Sequence, residues 1–390
     1  MKLDKLIYFL GLFSLFASCN KEETQVQQSK ISDIEYIDGI PYKRTTVFED
    51  GSSMDDEKTD DVIYRKINNL FYKRVYSGAI KTSWYGAIGN GKADDTKAVQ
   101  KAVSWCVKYH KDLEIDGNHL ITTPIVINRK VDSKEFDHYF VIHSSSGGGF
   151  VTQSSIPIFT TALPYAGKPI CQLIFFKGLN FRNLNPLNKS YVLDGNKFLR
   201  IQFSDCSFNG MQLLYAEKYI QTIYLSNCNL RYWKRDFLKS LDTCYDIRIV
   251  ECIAEHADGN CLYLTLPTGC SVQNSVIEGL NGAAILLNGA RGINISGNYF
   301  EGNKEADINM NIGNNDVGGI AIIGNFFANL NTTINKYSIL WTSKNITGSV
   351  SQGNYSNSYL HYFYDKLQYE RMKPHIQDTA KIKLTNFDGE

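Results

Sequence analysis

Proline is scarce in this chain, at 8 of 390 residues, and charge of one sign is not in excess: 41 lysines and arginines face 40 aspartates and glutamates. That balance excludes the basic footprint of a nucleic-acid binder, and no nucleic-acid partner is expected. Beyond residue 18 no apolar run approaches the roughly 20 residues of a spanning helix. None of the 9 cysteines stands in a Cys-x-x-Cys pair or in a Cys/His cluster with zinc spacing, so the usual metal signatures are missing. Nor is there a phosphate loop. Gly86, Gly89 and Gly91 fit neither the Walker nor the dinucleotide spacing, and Asp94 and Asp95 occupy the helix start where an anion would sit. After that helix, no second convincing helical pattern occurs before about residue 360.

What is abundant suits β-structure: 24 tyrosines and 21 phenylalanines. The chain opens on a short basic segment and an apolar run, Leu6 to Ser18, the pattern of an export signal. Ala17-Ser18-Cys19 resembles a bacterial lipobox, with Phe16 where leucine is usual. Asn20 to Glu23 resembles the signal that sends lipoproteins of the Bacteroidetes to the outer surface. The expectation is a lipid-modified, palmitate-bearing Cys19 and an outer-membrane lipoprotein, surface-exposed or facing the periplasm. Residues 19–62 are polar and read as a tether.

Residues 95–110 carry an amphipathic helix, with Ala98/Val99, Ala102/Val103 and Cys106/Val107 on one face and Asp94 or Asp95 as N-cap. The stretch after it is an internal repeat. Stacking "LIFFKGLNF", "RIQFSDCSF", "TIYLSNCNL", "IRIVECIA", "SVQNSVI", "INISGNYF", "IAIIGNFF" and "GSVSQGNY" aligns Leu179, Cys206, Cys228, Cys252, Ser275, Asn298, Asn325 and Asn354, at intervals of 22 to 29 residues. Short strands at that period describe a coil with three strands per turn and ladders of like residues. The cysteines of the ladder read as small apolar fillers rather than nucleophiles.

The stretch Tyr85 to Val103 resembles the entry motif of the pectate-lyase-like, single-stranded right-handed parallel β-helix superfamily. It matches at Gly86, Ala87, Gly89, Gly91, Asp94, Asp95, Thr96, Ala98, Gln100 and Ala102, with Asn90 in place of aspartate. The resemblance implies an all-β right-handed parallel β-helix over residues 63–360 with an N-terminal capping helix and a C-terminal cap over 361–390. It also implies a carbohydrate-active protein, in a superfamily that holds lyases, hydrolases, epimerases and phage tailspikes.

Two turns attract attention within that frame. His256, Asp258 and Asn260 crowd one, and Tyr263 points outward if Leu262, Leu264 and Leu266 point inward. One rung earlier, Arg231, Tyr232, Trp233, Lys234, Arg235, Asp236 and Lys239 mix aromatics with cations, a composition suited to stacking on sugar and holding carboxylate or sulfate. Both also read as plain solvated turns. His256, Tyr263, Arg235 and Asp258 are the candidate catalytic residues. Trp233, Lys234, Lys239, Lys304, Asp307 and Arg291 are the candidate substrate-binding residues. His119, His138 and His143, taken singly, read as structural.

The partner expected is an anionic, uronate-containing polysaccharide or oligosaccharide, attacked by β-elimination as a lyase or a dehydratase. That chemistry needs a base, an acid and a cation for the carboxylate. The alternatives are a glycoside hydrolase of the same fold and a non-catalytic surface glycan-binding β-helix. The polygalacturonase pattern is matched only at His256 to Asn260, and its acid pair is replaced by Ala283 to Asn288. Asp258 and Asp307, two rungs apart, form a candidate carboxylate pair for hydrolysis. No cofactor is expected; calcium serves some lyases of this fold, but no clean acidic loop occurs.

Overall fold

The computed structural model describes residues 33–129, 138–163, 171–185, 187, 189–310, 317–328, 337–341, 348–357, 360–364, 376–378 and 382–386. The export segment and Cys19 lie outside them. Two compact units divide the chain, at Gly78. In the first, Ile34–Ile37, Ile40–Thr45, Leu70–Arg74 and Tyr64–Ile67 pair antiparallel in that order across the sheet. The stretch read as a tether over 19–62 therefore carries two strands of a small sheet. Asp38-Gly39 and Asn68-Asn69 take positive φ at both positions, which closes the tight hairpins. Tyr42, Ile63, Tyr64 and Tyr72 form its buried side.

The second unit is a right-handed parallel β-solenoid of about nine turns. Eleven short strands, from Asn90–Asp94 to Tyr355–Ser356, stack into one flat sheet, and the other strands stack along the remaining sides. Some strands turn a corner without interruption: Leu238–Val250 pairs with Leu262–Thr268 and then with Ser271–Gln273, with register shifts between Ser240 and Cys244. The coil starts at Ile80 rather than at 63. Leu360–Tyr364, Ile376–Gln377 and Ile382–Asn386 still pair parallel with the rungs below them, so the coil's ladders run past the boundary drawn at 360.

The aligned column is the coil's main internal ladder. Leu179, Cys206, Cys228, Cys252, Ser275, Asn298, Asn325 and Asn354 are all buried to 2% exposure or less. Each follows a residue in the left-handed region, at Gly178, Asp205, Asn227, Glu251, Asn274, Gly297, Gly324 and Gly353. That corner turns the chain into the flat sheet, and it explains the glycine, asparagine and aspartate before the ladder position. Asn325 Oδ1 accepts from the backbone N–H and side-chain amide of Asn298, both at 3.0 Å, while Asn325 Nδ2 donates to Ile295 O and Asn354 Oδ1, both at 2.9 Å. Lower in the stack the cysteines replace the amides. Burial drives the Cys261 thiol up, and Cys228 is pushed up to about 12 through its hydrogen bond with Cys206 and by burial, so these thiols stay protonated fillers. Phenylalanines stack beside them, Phe176 on Phe203 at 4.8 Å and Phe181 on Phe208 at 5.1 Å.

The entry motif closes the lower end. The helix Thr96–Lys108 buries Val99, Ala102, Val103 and Cys106. Gln100 pairs with the strand Ile125–Val126: Val126 N–H donates to Gln100 Oε1 at 2.7 Å and Gln100 Nε2 donates to Val126 O at 3.0 Å. A side-chain amide thus completes a strand edge. Asp94 takes the capping role, accepting from Thr96 N–H. Asp95 is buried and accepts from the N–H groups of Ile88 and Gly89 and from His119 Nδ1, each at 2.8 Å. The glycine turn is held by this carboxylate.

Replacing Asn325 by leucine would strip the Asn298 N–H and the Ile295 carbonyl of their partners. We expect a loss of at least about 2 kcal/mol, read from the urea unfolding midpoint.

Candidate functional site

The outward face of the eleven-stranded sheet holds two columns of side chains. The first position after the ladder residue gives Asn180, Ser207, Asn229, Ile253, Val276, Tyr299, Phe326 and Tyr355. The third gives Arg182, Asn209, Arg231, Glu255, Glu278, Glu301 and Ala328. Parallel pairing in register puts Glu255, Glu278 and Glu301 one above another at about the strand spacing of 4.8 Å. Like charges so placed oppose the pairing of their strands.

Each carboxylate is managed differently. Glu255 is paired with Arg231 from the rung below and approaches His256 Nδ1 at 3.5 Å. Glu301 accepts a hydrogen bond from the Tyr299 hydroxyl, which pushes that phenol up to about 12. Glu278 lies between the two. Burial, a hydrogen bond with Glu255 and the charges of Glu255 and Glu301 push its carboxyl above the usual carboxylate range, with His256 pulling the other way. A carboxyl whose proton is held more tightly than usual therefore stands in register above an arginine-paired carboxylate, an asymmetry of the kind that separates acid from base work.

The backbone around this column is also unusual. His256 and Tyr232 take φ of 56° and 62° at a corner where the neighbouring rungs use Gly210, Gly279 and Gly302. Side chains at such positions carry a conformational cost. Their rings lie 6.1 Å apart, and Gly279, with no side chain, leaves space over His256.

The residues singled out from sequence fall into separate groups. His256 is the last residue but one of the strand Ile253–Ala257, beside Glu255 of the glutamate column. Tyr263 lies past the next turn, where Lys239 Nζ sits 4.3 Å from its ring centroid and 3.0 Å from Asp236. Arg235 lies beside Tyr191, whose phenol burial pushes up while the guanidinium pulls the other way. Asp258 is tied to Lys234 at 2.8 Å and to Asn281 at 3.0 Å. Lys304 is exposed in its turn, and Arg291 lies at the start of Ala290–Ser296, one corner further round the coil.

Two expectations for the binding set are corrected. Trp233 is fully buried: its indole N–H donates to Asn260 O at 3.1 Å and its ring packs on Phe237, so it cannot stack on a sugar. Asp307 is also fully buried and accepts from Asn303 at 2.8 Å, which removes it from the surface and from any pair with Asp258. The alternation assumed after Tyr263 breaks at Leu266. There φ is 45° and the side chain is 40% exposed, while Tyr263 itself does point outward, half-buried. The glutamate column was missed, although its signal is in the repeat. It recurs three residues after Cys252, Ser275 and Asn298, just past the segments aligned there. Among the described residues, no group of three or more His, Cys, Asp or Glu could hold a metal ion.

No family model matches the chain. Its fold is that of the tailspike and pectate-lyase-like parallel β-helices. The tailspike protein of Acinetobacter baumannii phage AM24 is similar over 90% of this chain and 63% of its own, at 15% identity and a TM-score of 0.65. WceF of Pantoea stewartii, described as a glycan biofilm modifying enzyme with a tailspike-like parallel β-helix, is similar over 81% of this chain and 42% of its own. There the identity is 14% and the TM-score 0.51. An uncharacterized 65.4 kDa protein in the cps region of Klebsiella pneumoniae is 33% identical over 123 residues, 26% of this chain and 21% of that protein. The chain thus matches less than two thirds of the length of each of these proteins.

The folded state binds the Glu278 proton more tightly than the unfolded chain does. Its contribution to stability is therefore present in acid and lost as pH rises through the raised pKa. Glu278→Gln should raise stability at neutral pH by about 0.2–1 kcal/mol, the size of a cross-strand charge pair, and the gain should vanish in acid. Melting curves of both proteins across that range measure it.

Proposed function

We propose that this protein is a carbohydrate-active enzyme that cleaves a polysaccharide lying along the outer face of the eleven-stranded sheet, with Glu278 and Glu255 as its catalytic pair. The observation that carries this reading is the in-register stacking of Glu278 on a Glu255 held by Arg231, where burial and the neighbouring glutamates push the Glu278 carboxyl up. The stacking distance of about 4.8 Å is nearer the separation of about 5–5.5 Å in retaining glycosidases than the 6.5–9.5 Å or so of inverting ones. Glu278 gives its proton to the glycosidic oxygen as that bond to the anomeric carbon breaks, and a Glu255 oxygen bonds to the same carbon. Glu278, now ionised, takes a proton from water, whose oxygen displaces Glu255. The products are two shorter glycans, and both carboxyls return to their starting states.

A second reading, β-elimination on a uronate, is favoured by Lys239 against Tyr263. The lysine would neutralise the sugar carboxylate; Tyr263, acting as phenolate, would take the proton from C5 and pass it to the C4 oxygen as the C4–O bond breaks and the C4–C5 double bond forms. At His256 the neighbouring glutamates oppose a uronate carboxylate, so elimination is better supported across the turn than on the sheet. The lipobox-like segment ending at Cys19 supports a lipid-anchored enzyme at the outer membrane, acting on glycan at the cell surface or in the periplasm.

Glu278→Gln should lower kcat by about 10²–10⁴-fold, the contribution of general acid catalysis. New reducing ends should appear with net retention and without the ultraviolet absorbance of an unsaturated uronate. If that absorbance rises instead, and is lost in Tyr263→Phe but kept in Glu278→Gln, elimination is the reaction.

A further inference from the structure

The same sheet face changes character toward its N-terminal rungs. Below the glutamates it carries Arg231, Asn209 and Arg182, and beside them a column of small amides and hydroxyls. That column is interrupted at Gly149, where a Cβ would lie 1.9 Å from the Asn180 carbonyl oxygen, so the position takes no side chain. On these rungs lies a cleft of about 510 Å³ whose lining includes Lys92, Asn118, Asn180, Arg182, Ser207 and Asn209, with no acidic residue. Arg182 and Lys92 are both exposed, and neither has an acidic partner among the described residues. This differs from the cations nearer the turn, since Arg231, Lys234 and Lys239 are each paired with a carboxylate.

We propose that this cleft is a binding subsite for an acidic sugar of the glycan, one bearing a carboxylate or a sulfate. Arg182 and Lys92 supply the charge, and the amides of Asn118, Asn180 and Asn209 supply donors and acceptors for the ring hydroxyls. A guanidinium matches the two oxygens of such a group, and the lining carries no carboxylate to compete for it. Four rungs separate Arg182 from Glu278, about 19 Å at the strand spacing, which several linked sugars would span. The inference rests on the reading of this face as the glycan track and adds to it a polarity: the acidic sugar lies at the N-terminal rungs, and an uncharged sugar lies at the glutamates.

Calorimetry on the full chain carrying Glu278→Gln tests it. The probes are tetragalacturonate, a sulfated chondroitin tetrasaccharide and, as the neutral control, cellotetraose. At least one acidic probe should bind more tightly than cellotetraose. Arg182→Ala and Lys92→Ala should each weaken that binding about tenfold, the loss of one charge-assisted hydrogen bond, and should flatten its salt dependence. Arg182→Lys should restore part of it, and melting temperatures should not change. Preference for the carboxylated or the sulfated probe identifies the group. Failure of both acidic probes to bind, equal binding of the neutral one, or indifference to both substitutions overturns the subsite. A Glu278→Gln protein that still cleaves glycan would overturn the catalytic reading instead, with the binding result standing on its own.

Discussion

Parallel stacking in register is the constraint on which this protein depends. Each rung of the coil repeats the one below, so every side chain meets its own counterpart at the strand spacing. Inside the coil this favours residues that can bond or pack with their like. Asn298 and Asn325 each satisfy the backbone below and the amide above, and Asn354 satisfies the backbone below and donates to the Asp378 carboxylate above. Phe300 lies on Phe327, stacked at 5.2 Å. On the outside, the same register sets glutamate over glutamate, where repulsion is built in. The molecule answers with an arginine below, a tyrosine hydroxyl above and, between them, a carboxyl pushed above its usual range. That arrangement costs stability in neutral solution, and it leaves a carboxyl with a raised pKa where water reaches it.

The outer face is also graded. Unpaired cations and small polar side chains line the first rungs, the carboxylates follow, and Tyr299, Phe326 and Tyr355 complete the column, stacked on one another at 5.3 to 5.5 Å. Those aromatic faces cover each other and leave mainly edges outward, so the stack serves the coil more than it serves a sugar face. A linear polymer laid along the axis would meet charge, then the stacked glutamates, then the aromatic edge. A solenoid offers such an extended track because its repeat builds one straight surface.

The scaffold was legible from the entry motif and the column running from Leu179 to Asn354, because backbone corners and internal ladders demand particular residue types at fixed spacing. Gln100 belongs to that class: its amide completes a strand edge. The site was less legible. Trp233 and Asp307 sit in turns or at their margins, where strand alternation does not say which way a side chain points, and both turned inward. His256 was found as a polar turn residue, but its meaning lies in Glu255 beside it and in the left-handed corner it shares with Tyr232. The glutamates become visible only when the repeat is followed three residues past its ladder. Asp38-Gly39 between two apolar runs was a hairpin signal inside a segment whose composition suggested a tether.

The central claim is that the eleven-stranded face is the glycan track, with its reacting bond at Glu255 and Glu278. A crystal structure of the Glu278→Gln protein with a bound oligosaccharide tests it most directly. The account predicts sugar density running along the axis on the outer side of Arg182, Arg231 and Glu255, with a glycosidic oxygen within hydrogen-bond reach of residue 278. Sugar bound across the turn at Lys239 and Tyr263, with the glutamate column left to solvent, would contradict it.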